Sequence, residues 1–409
     1  MKRKVNFIHI LILGALCTIS PFSIDMYLPG FPAIAKNLET SIANVQLSLT
    51  SYLVGIAIGQ LFYGPLLDKF GRKNPLYIGL IIYILTSIAC AFTYSVDNLI
   101  ILRFLQAVGG CVGMVAAQAL VRDLFPQNKV AQVLSLLTLV IAVSPMIAPT
   151  VGGYVTVHFG WQMVFLVLAG ITAFIMLGIK WYLPLGADPD ATISLRPGKV
   201  VKNYILVLKN RKFMTYMLVG GIAGAAPFAY IAGSADIFMN IYGISATGYG
   251  WIFAILATAM IGSTQLNHLL LRKYSSEQII NVALSYQCVI GIVMFLGVWF
   301  QWLEVYSLIF LMFIFLTGHG LNSPNAAALT LEPFDKNAGS AAAMMGSMRM
   351  AMGGAVSALV SFLHSGTAVP MVSIMAGCSI GGILILGIRR YHHKYLSKIS
   401  QKRAASMAH

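Results

Sequence analysis

Residues 64–76 read GPLLDKFGRKNPL, a short segment that contains glycine and charges of both signs. It lies between two apolar runs, near 44–67 and 75–94. About 20 apolar residues in a helix, rising 1.5 Å per residue, cross the hydrocarbon core of a bilayer. The stretch therefore predicts two membrane helices joined by a charged turn at the membrane surface.

The composition extends this interpretation to the whole chain. Of 409 residues, 58% are Ala, Val, Ile, Leu, Met, Phe, Trp, Tyr or Cys and only 10% are charged, whereas soluble domains carry about 25% charged residues. So few charges do not cover the surfaces of the two or three soluble domains that such a length would form. The composition excludes an ordinary soluble enzyme and predicts contact with a lipid bilayer.

Twelve apolar runs have the length of a membrane span. We number them spans 1 to 12 in chain order. They lie near 7–28, 44–67, 75–94, 98–121, 131–157, 161–183, 213–238, 248–271, 279–300, 303–325, 337–363 and 367–390.

The basic residues predict the direction of the spans, because Lys and Arg gather on the cytoplasmic side. With a cytoplasmic N-terminus, all but three of the 27 basic residues fall in cytoplasmic segments, the exceptions being Lys36, Arg103 and Arg349. Both termini are therefore expected in the cytoplasm. The net charge of +15 needs no nucleic acid to explain it, because the charges flank the spans.

Residues 184–212 form the long polar interruption of the chain. They are expected to be a cytoplasmic linker between an N-terminal six-helix bundle, 1–183, and a C-terminal one, 213–392, which a cytoplasmic tail, 393–409, follows. Two such halves are typical of a duplicated transporter with repeats related by an axis along the membrane normal. The expected fold is an all-α polytopic membrane protein with twelve transmembrane helices in two six-helix bundles.

The charged turn after span 2 is also a motif. Gly64 permits close helix packing and Gly71 a tight turn, while Asp68, Arg72 and Lys73 supply the charges. The segment resembles the signature G-x-L-x-D-x-x-G-R-K-x-x-L of the major facilitator superfamily. This resemblance implies the major facilitator fold and a transporter.

Two further segments strengthen the resemblance. RFLQAVGG, which begins at Arg103, is similar to the superfamily's R-x-x-Q-G pattern in span 4. SPMIAPTVGGY in span 5 is similar to the antiporter motif that ends in G-P-x-x-G-G, and it contains Pro145, Pro149, Gly152 and Gly153. This second motif implies export driven by protons rather than import.

Four segments resemble a narrower group. PFSIDMYLPGFP (21–32), VRDLFP (121–126), PNAAALTLEPF (324–334) and AGSAAAMMG (338–346) are similar to the Bcr/CflA drug:proton antiporters, which are named for bicyclomycin resistance. The resemblance implies a drug exporter of the bacterial inner membrane.

Charged residues inside spans cost at least about 2.5–3.5 kcal/mol and usually have a function. Asp25 and Arg103 fall at similar depth in the outer half of the membrane, so pairing is possible. Beside the arginine the carboxyl group would stay ionised, whereas burial away from it would favour a proton. In the resembled family an acid of span 1 and the arginine of span 4 take part in proton coupling. The alternatives are that Asp25 only caps its helix and that Arg103 is a fixed strut.

Arg349, near the midplane in span 11, and Asp236, at the outer end of span 7, depart from the resembled group. Arg349 either binds an anionic or carbonyl-bearing substrate or forms a buried structural pair. Asp236 is either its partner, across a connecting cavity, or a solvated helix-end residue. His319 in span 10 either carries a proton or is hydrogen-bonded into the packing. The other candidates for substrate contact or charge pairing are Tyr27, Gln106, Tyr230 and Asn325.

The prolines and glycines of span 5 have a mechanical interpretation. Proline bends a helix, and small residues let a neighbouring helix approach closely. The bend is expected to seal one side of the cleft against proton leak. The alternative is a kink that only fits its neighbours.

The expected function is proton-coupled export of small amphipathic, drug-like compounds by a monomer, with protonation of Asp25 coupled to substrate release. The sequence lacks GK[ST], HExxH and CxxC motifs, so we expect neither an enzyme nor a metal site, and no cofactor besides the proton gradient. The nearest alternative is an importer or facilitator of a small metabolite with the same fold. A membrane enzyme or scaffold is the remote alternative.

Overall fold

The chain is helical throughout the part that the computed structural model describes. The described residues are 7–184, 189, 197–334 and 338–407. Twelve helices among them are long and apolar enough to cross a membrane, which confirms the predicted number. Spans 1 to 12 are Phe7–Asn37, Ile42–Phe70, Lys73–Ala91, Val96–Leu124, Gln132–Phe159, Trp161–Tyr182, Arg211–Ile241, Ala246–Leu270, Ser276–Trp299, Val305–Leu331, Gly339–Phe362 and Val369–Arg389.

Several helices continue past their apolar runs, because such a run sets only the minimum crossing length and a helix continues until a stop signal. Span 1 reaches Asn37 through a 3-10 turn, Leu28–Gly30. The helix of span 12, Val369–Met407, continues through most of the expected tail, where the sequence has no glycine or proline. The described part of the linker contains another helix, Pro197–Leu208.

Five of the basic residues that predict the direction of the spans lie outside the described residues, namely Lys2, Arg3, Lys4, Arg196 and Lys336.

The two bundles repeat one packing pattern. In the first, span 1 packs against spans 5 and 6, span 2 against span 4, and span 3 against spans 4 and 6. In the second, span 7 packs against spans 11 and 12, span 8 against span 10, and span 9 against spans 10 and 12. Between the bundles, span 2 contacts span 11 and span 8 contacts span 5. Spans 8 and 5 are the counterparts of spans 2 and 11 in the opposite repeat, so the two contacts are equivalent. This pattern is the one expected of two structural repeats.

The backbones of the two bundles approach each other closely at the end of the molecule where spans 2 and 8 begin, which we call the distal end. The charged turn and the linker helix lie at the opposite, proximal end. Thr50 Oγ1 donates a hydrogen bond to Ser357 Oγ at 2.9 Å between spans 2 and 11. A side-chain carbon at Gly250 of span 8 would lie 2.8 Å from the Cα atom of Thr150 in span 5. The backbones of spans 5 and 8 therefore touch, and the distal end is closed.

Prolines inside the spans free carbonyl groups for contacts between helices, because proline has no N–H for the carbonyl four residues earlier. Pro65 frees the carbonyl of Leu61, which accepts a hydrogen bond from the Tyr204 hydroxyl of the linker helix at 2.9 Å. The carbonyl of Gly320, freed by the proline of span 10, accepts one from Thr264 Oγ1 at 3.3 Å. Lipid offers no donors, and these two freed carbonyls instead bind a neighbouring element.

Candidate functional site

Asp25 is the last residue of the first helix of span 1, just before the turn Leu28–Gly30. Its side chain is 4% exposed. No described residue forms an ion pair or hydrogen bond with its carboxyl group. The turn that follows it, Leu28–Gly30, contacts spans 7 and 8 of the second bundle. The predicted acid therefore lies at a break in span 1, where the two bundles meet.

Arg103 is fully buried in the first bundle. Its guanidinium lies between the rings of Tyr27 and Tyr52, 4.6 and 4.1 Å from their centroids. Its Nη2 donates to the carbonyl oxygen of Ser23 at 2.9 Å, and its Nη1 donates to Gln106 Oε1 at 2.5 Å. Aromatic faces and neutral oxygens, rather than a carboxylate, therefore surround this charge.

The ion pair between Asp25 and Arg103 that their similar depth makes possible is not formed among the described residues. The last carbonyl groups of a helix lack internal partners and carry a partial negative charge. The helix that ends at Asp25 offers such a carbonyl at Ser23, and the arginine binds it. The two side chains therefore share a helix end without touching, as in the strut interpretation.

Three other candidates are packed into the bundles. Gln106 is fully buried in span 4. The Tyr27 hydroxyl shares a hydrogen bond of 2.8 Å with Ser48. Asn325 Nδ2 donates to Asn267 Oδ1 at 2.6 Å, which joins spans 10 and 8. These contacts hold helices together inside one bundle.

The adjacent glycines of the span 5 motif face different partners. A side-chain carbon at Gly152 would overlap the carbonyl oxygen of Met26, the residue after Asp25. One at Gly153 would lie 2.7 Å from the carbonyl oxygen of Ala246, the first residue of span 8. Gly152 thus joins spans 1 and 5 within the first bundle, whereas Gly153 joins the two bundles at the distal end.

The prolines of this motif interrupt no helix. Pro145 and Pro149 lie inside one continuous helix, Gln127–Phe159. They remove two internal hydrogen bonds in the half of span 5 that approaches span 8. The sealing function of the motif stays a prediction.

The charged turn is an ion-pair cluster. Arg72 Nη1 donates to Asp68 Oδ1 at 2.5 Å and its Nε donates to Asp123 Oδ2 at 2.9 Å. Burial opposes its charge, but the hydrogen bonds and charges of the two carboxylates hold the pKa of Arg72 above its ordinary value. Lys73 is exposed and begins span 3. Asp123, which sequence reasoning quoted but did not assign, ties the turn to span 4.

The two glycines of the turn differ from each other. A side-chain carbon at Gly64 would meet nothing within 4 Å, so its expected part in close packing is wrong. Gly59, five residues earlier, makes the close approach instead, because a side-chain carbon there would overlap the sulfur of Cys111. Gly71 has φ +76° and ψ 168°, a conformation that is nearly restricted to glycine.

Replacement of Gly71 by alanine is expected to destabilise the protein by about 1–3 kcal/mol, because alanine is strained in this conformation. The thermal unfolding midpoint of the purified chain in detergent measures the effect. Gly170→Ala in span 6, where a side-chain carbon meets nothing within 4 Å, is the matched control and should leave the midpoint unchanged or raise it. Equal midpoints for the two variants would contradict the assignment.

Arg349 and Asp236 do not pair. Asp236 is buried, accepts a hydrogen bond of 2.9 Å from Asn240 Nδ2, and lies 2.8 Å from His364 Nε2. Neither partnership with the arginine nor solvation at a helix end describes it. Arg349 Nη2 instead donates to Ser323 Oγ at 2.6 Å. Sequence reasoning missed His364, which lies at the end of span 11 outside every motif.

Two polar candidates lack partners. The Nδ1 atom of His319 and the hydroxyl of Tyr230 are buried with no hydrogen bond to any described residue. The Tyr230 ring stacks on Phe253 with a centroid distance of 5.1 Å. Across the described ranges, no three His, Cys, Asp or Glu side chains gather as a metal ion requires.

Twelve membrane-crossing helices in two repeat-related bundles, with polar groups buried where the bundles meet, are the architecture of a secondary transporter. The chain belongs to the Major Facilitator Superfamily, whose family profile matches residues 13–358. The predicted fold is confirmed, and the protein is a multi-pass membrane transporter rather than an enzyme.

Similar proteins agree with this assignment. The chain is 33% identical to the bicyclomycin resistance protein homolog of Haemophilus influenzae, over 94% of this chain and 96% of that protein. It is 28% identical to multidrug resistance protein D of Escherichia coli, over 89% and 91% of the two chains. A bacterial homolog of the human lysosomal transporter Spinster, in an inward-facing and occupied conformation, shares the fold with a TM-score of 0.70 at 13% identity, over 92% of this chain and 94% of that one. The resemblance to bicyclomycin-resistance proteins is confirmed.

Proposed function

We propose that this transporter exports small amphipathic, drug-like compounds in exchange for protons, as a monomer in the bacterial inner membrane with both termini in the cytoplasm. The names of its relatives, which refer to resistance to bicyclomycin and to multiple drugs, support a drug as the cargo. The surroundings of Asp25 support the proton as the driving ion.

Asp25 is the group proposed to carry the proton. A carboxylate that is buried without a partner costs several kcal/mol, so the closed distal end favours the neutral carboxyl group. Opening of that end would admit water to the break in span 1 and let Asp25 exchange its proton with the outside. Protonation there would release the substrate, and loss of the proton to the cytoplasm would reset the site.

Arg103 is a positioning residue in this proposal. Its bond to the Ser23 carbonyl fixes the end of the helix that carries Asp25. The positive charge of Arg103 therefore keeps one position relative to Asp25. Gly153 supplies the closure, because its backbone contact with Ala246 is made only where the bundles meet. Proton access and the backbone contact at Gly153 therefore lie at the same end of the molecule.

Drug tolerance tests the proposal. Cells that overproduce the chain should tolerate more of at least one drug in a susceptibility panel, and Asp25→Asn should reduce that tolerance to the level of cells without the transporter. Asp97→Asn is the matched control, because Asp97 is an exposed acid at the start of span 4 and should be dispensable. Equal tolerance with wild type and Asp25→Asn would contradict the proton-carrying role.

Everted membrane vesicles distinguish export from import. The respiratory chain acidifies their interior, so a proton-driven exporter takes up the drug that the panel identifies. Release of that compound on acidification would instead favour an importer of the same fold.

A further inference from the structure

Arg349 carries a positive charge near the middle of span 11, Gly339–Phe362. Its Nη2 donates one hydrogen bond, of 2.6 Å, to Ser323 Oγ. Among the described residues no carboxylate pairs with this guanidinium and no aromatic ring lies under it. A cation at this depth costs at least about 2.5–3.5 kcal/mol. One neutral hydroxyl does not compensate that cost.

Arg103, which is fully buried, shows what compensation looks like in this chain. Arg103 has a helix-end carbonyl, an amide oxygen and the faces of two tyrosines around it. Arg349 has none of these contacts within the described residues. The Arg349 side chain is partly exposed, so most of its N–H groups are left for solvent or a bound solute, which is unexpected for a purely structural arginine.

A second unpartnered group lies beside it. A side-chain carbon at Gly224 of span 7 would lie 3.9 Å from Arg349 Nη2, 3.9 Å from His319 Cε1, and no nearer to any other atom. The Nδ1 atom of His319 is buried without a hydrogen-bond partner in the described residues. The guanidinium of span 11 and the imidazole of span 10 thus both lie against the bare glycine backbone of span 7.

A small cavity on another side of Arg349, which His319 and Gly224 do not line, limits what can reach the guanidinium. A cavity of about 10 Å³ adjoins Arg349, which is room for about one water-sized group. The residues that line it include Gly220, Gly221, Met217 and Met345. Such a cavity admits the oxygens of a small anionic group but not a ring, while methionine repacks easily around an apolar remainder.

We propose that Arg349 and His319 bind the anionic group of the exported compound, so that amphipathic organic anions such as carboxylates are the substrate class of this transporter. The proposal rests on the proposed function in treating the ligand as cargo. A guanidinium binds a carboxylate through two parallel N–H···O bonds, and a proton on His319 Nδ1 would supply a third donor. A neutral carbonyl would accept the same hydrogen bonds but leave the charge uncompensated.

Ligand binding to the purified full-length chain tests this proposal without a pH gradient. The probes are 1-naphthoate, 1-naphthamide and naphthalene-1-methylammonium, which share a ring and differ in charge. Ligand-induced shifts of the thermal unfolding midpoint give the affinities. Wild type should bind the carboxylate at least about tenfold more tightly than the amide or the cation, since a charge-assisted bond contributes 1.5 kcal/mol or more. Equal affinity for carboxylate and amide would overturn the proposal.

Variants separate binding from a structural role. Arg349→Gln should weaken naphthoate binding at least about tenfold while naphthamide changes less than about threefold. Gly224→Asp should also weaken naphthoate binding selectively. Its side-chain carbon would lie 3.9 Å from Arg349 Nη2, so its carboxylate would neutralise the guanidinium. Arg272→Gln, which removes an exposed charge, is the control and should leave both affinities unchanged.

Three further results would overturn the assignment. The first is an unchanged naphthoate affinity in Arg349→Gln. The second is an equal loss in Ser323→Ala, which would make Arg349 a tie between spans 10 and 11. The third is equal protection by chloride alone, which would indicate an inorganic anion site. If Arg349→Gln does not fold, the affinities of wild type for the three probes and the naphthoate affinity of Gly224→Asp test the proposal. Drug export that depends on Asp25 is measured separately, so either proposal can fail alone.

Discussion

Replacement of Gly152 by alanine is expected to abolish transport and to lower stability by roughly 3 kcal/mol, since overpacking of a close contact between backbones cannot relax by side-chain rotation. The new carbon would overlap the carbonyl oxygen of Met26. Spans 1 and 5 would have to separate, and Asp25, which precedes Met26, would move with span 1. The yield of monodisperse protein and its thermal unfolding midpoint measure the loss.

Gly153→Ala is the matched variant, because it adds the same methyl group one residue later. Its carbon would lie 2.7 Å from the Ala246 carbonyl oxygen, which belongs to the other bundle. Separation of the bundles at the distal end relieves this contact without disturbing either bundle. We therefore expect a near-normal unfolding midpoint but impaired transport. A cysteine placed at Thr150, in a cysteine-free background, should react faster with a water-soluble maleimide in this variant.

Equal destabilisation by Gly152→Ala and Gly153→Ala would contradict this interpretation. It would mean that spans 5 and 8 form one rigid unit rather than the contact of two bodies that part. Unchanged maleimide labelling with impaired transport would likewise show that Gly153 does not control closure.

Removal of the Arg103 guanidinium is expected to have the second large effect. Arg103→Gln loses the bonds to the Ser23 carbonyl and to Gln106, together with the contacts with the rings of Tyr27 and Tyr52. Bonds from a charged donor contribute about 1.5–3 kcal/mol each and a desolvated cation–π contact about 2 kcal/mol. We expect a loss of at least about 3 kcal/mol in unfolding free energy, together with the loss of transport.

Arg103→Lys distinguishes a strut from a proton-coupling group. An ammonium group keeps the charge but cannot stack flat between two rings and reach both oxygens. The strut interpretation therefore predicts that lysine does not restore the unfolding midpoint. Wild-type stability of Arg103→Lys combined with loss of proton-driven transport would instead assign Arg103 to the coupling step.

The number of spans followed from the sequence because a bilayer imposes one minimum length and one composition on every crossing helix. The partners of the buried charges did not follow. Asp25 and Arg103 have similar depths, but depth is one coordinate, and rotation about the helix axis depends on packing that no local pattern encodes. The carbonyl that Arg103 binds becomes available because span 1 stops being α-helical at Asp25.

Motif identity was likewise a partial guide. Gly71 has the conformation that the turn requires, whereas Gly64 has open space around it and Gly59, outside the motif, makes the close approach. A motif records that a residue type is needed, but the helix that approaches it comes from a distant part of the chain. His364 and Ser323, the partners of Asp236 and Arg349, carried no signal at all.

Pro65 has a consequence for how the two halves are connected. Replacement of Pro65 by alanine would restore the missing backbone hydrogen bond inside span 2. The same exchange would give the Leu61 carbonyl a competing donor and weaken the anchorage of Tyr204. The local defect in one helix is thus the attachment point of the linker helix Pro197–Leu208 on the first bundle.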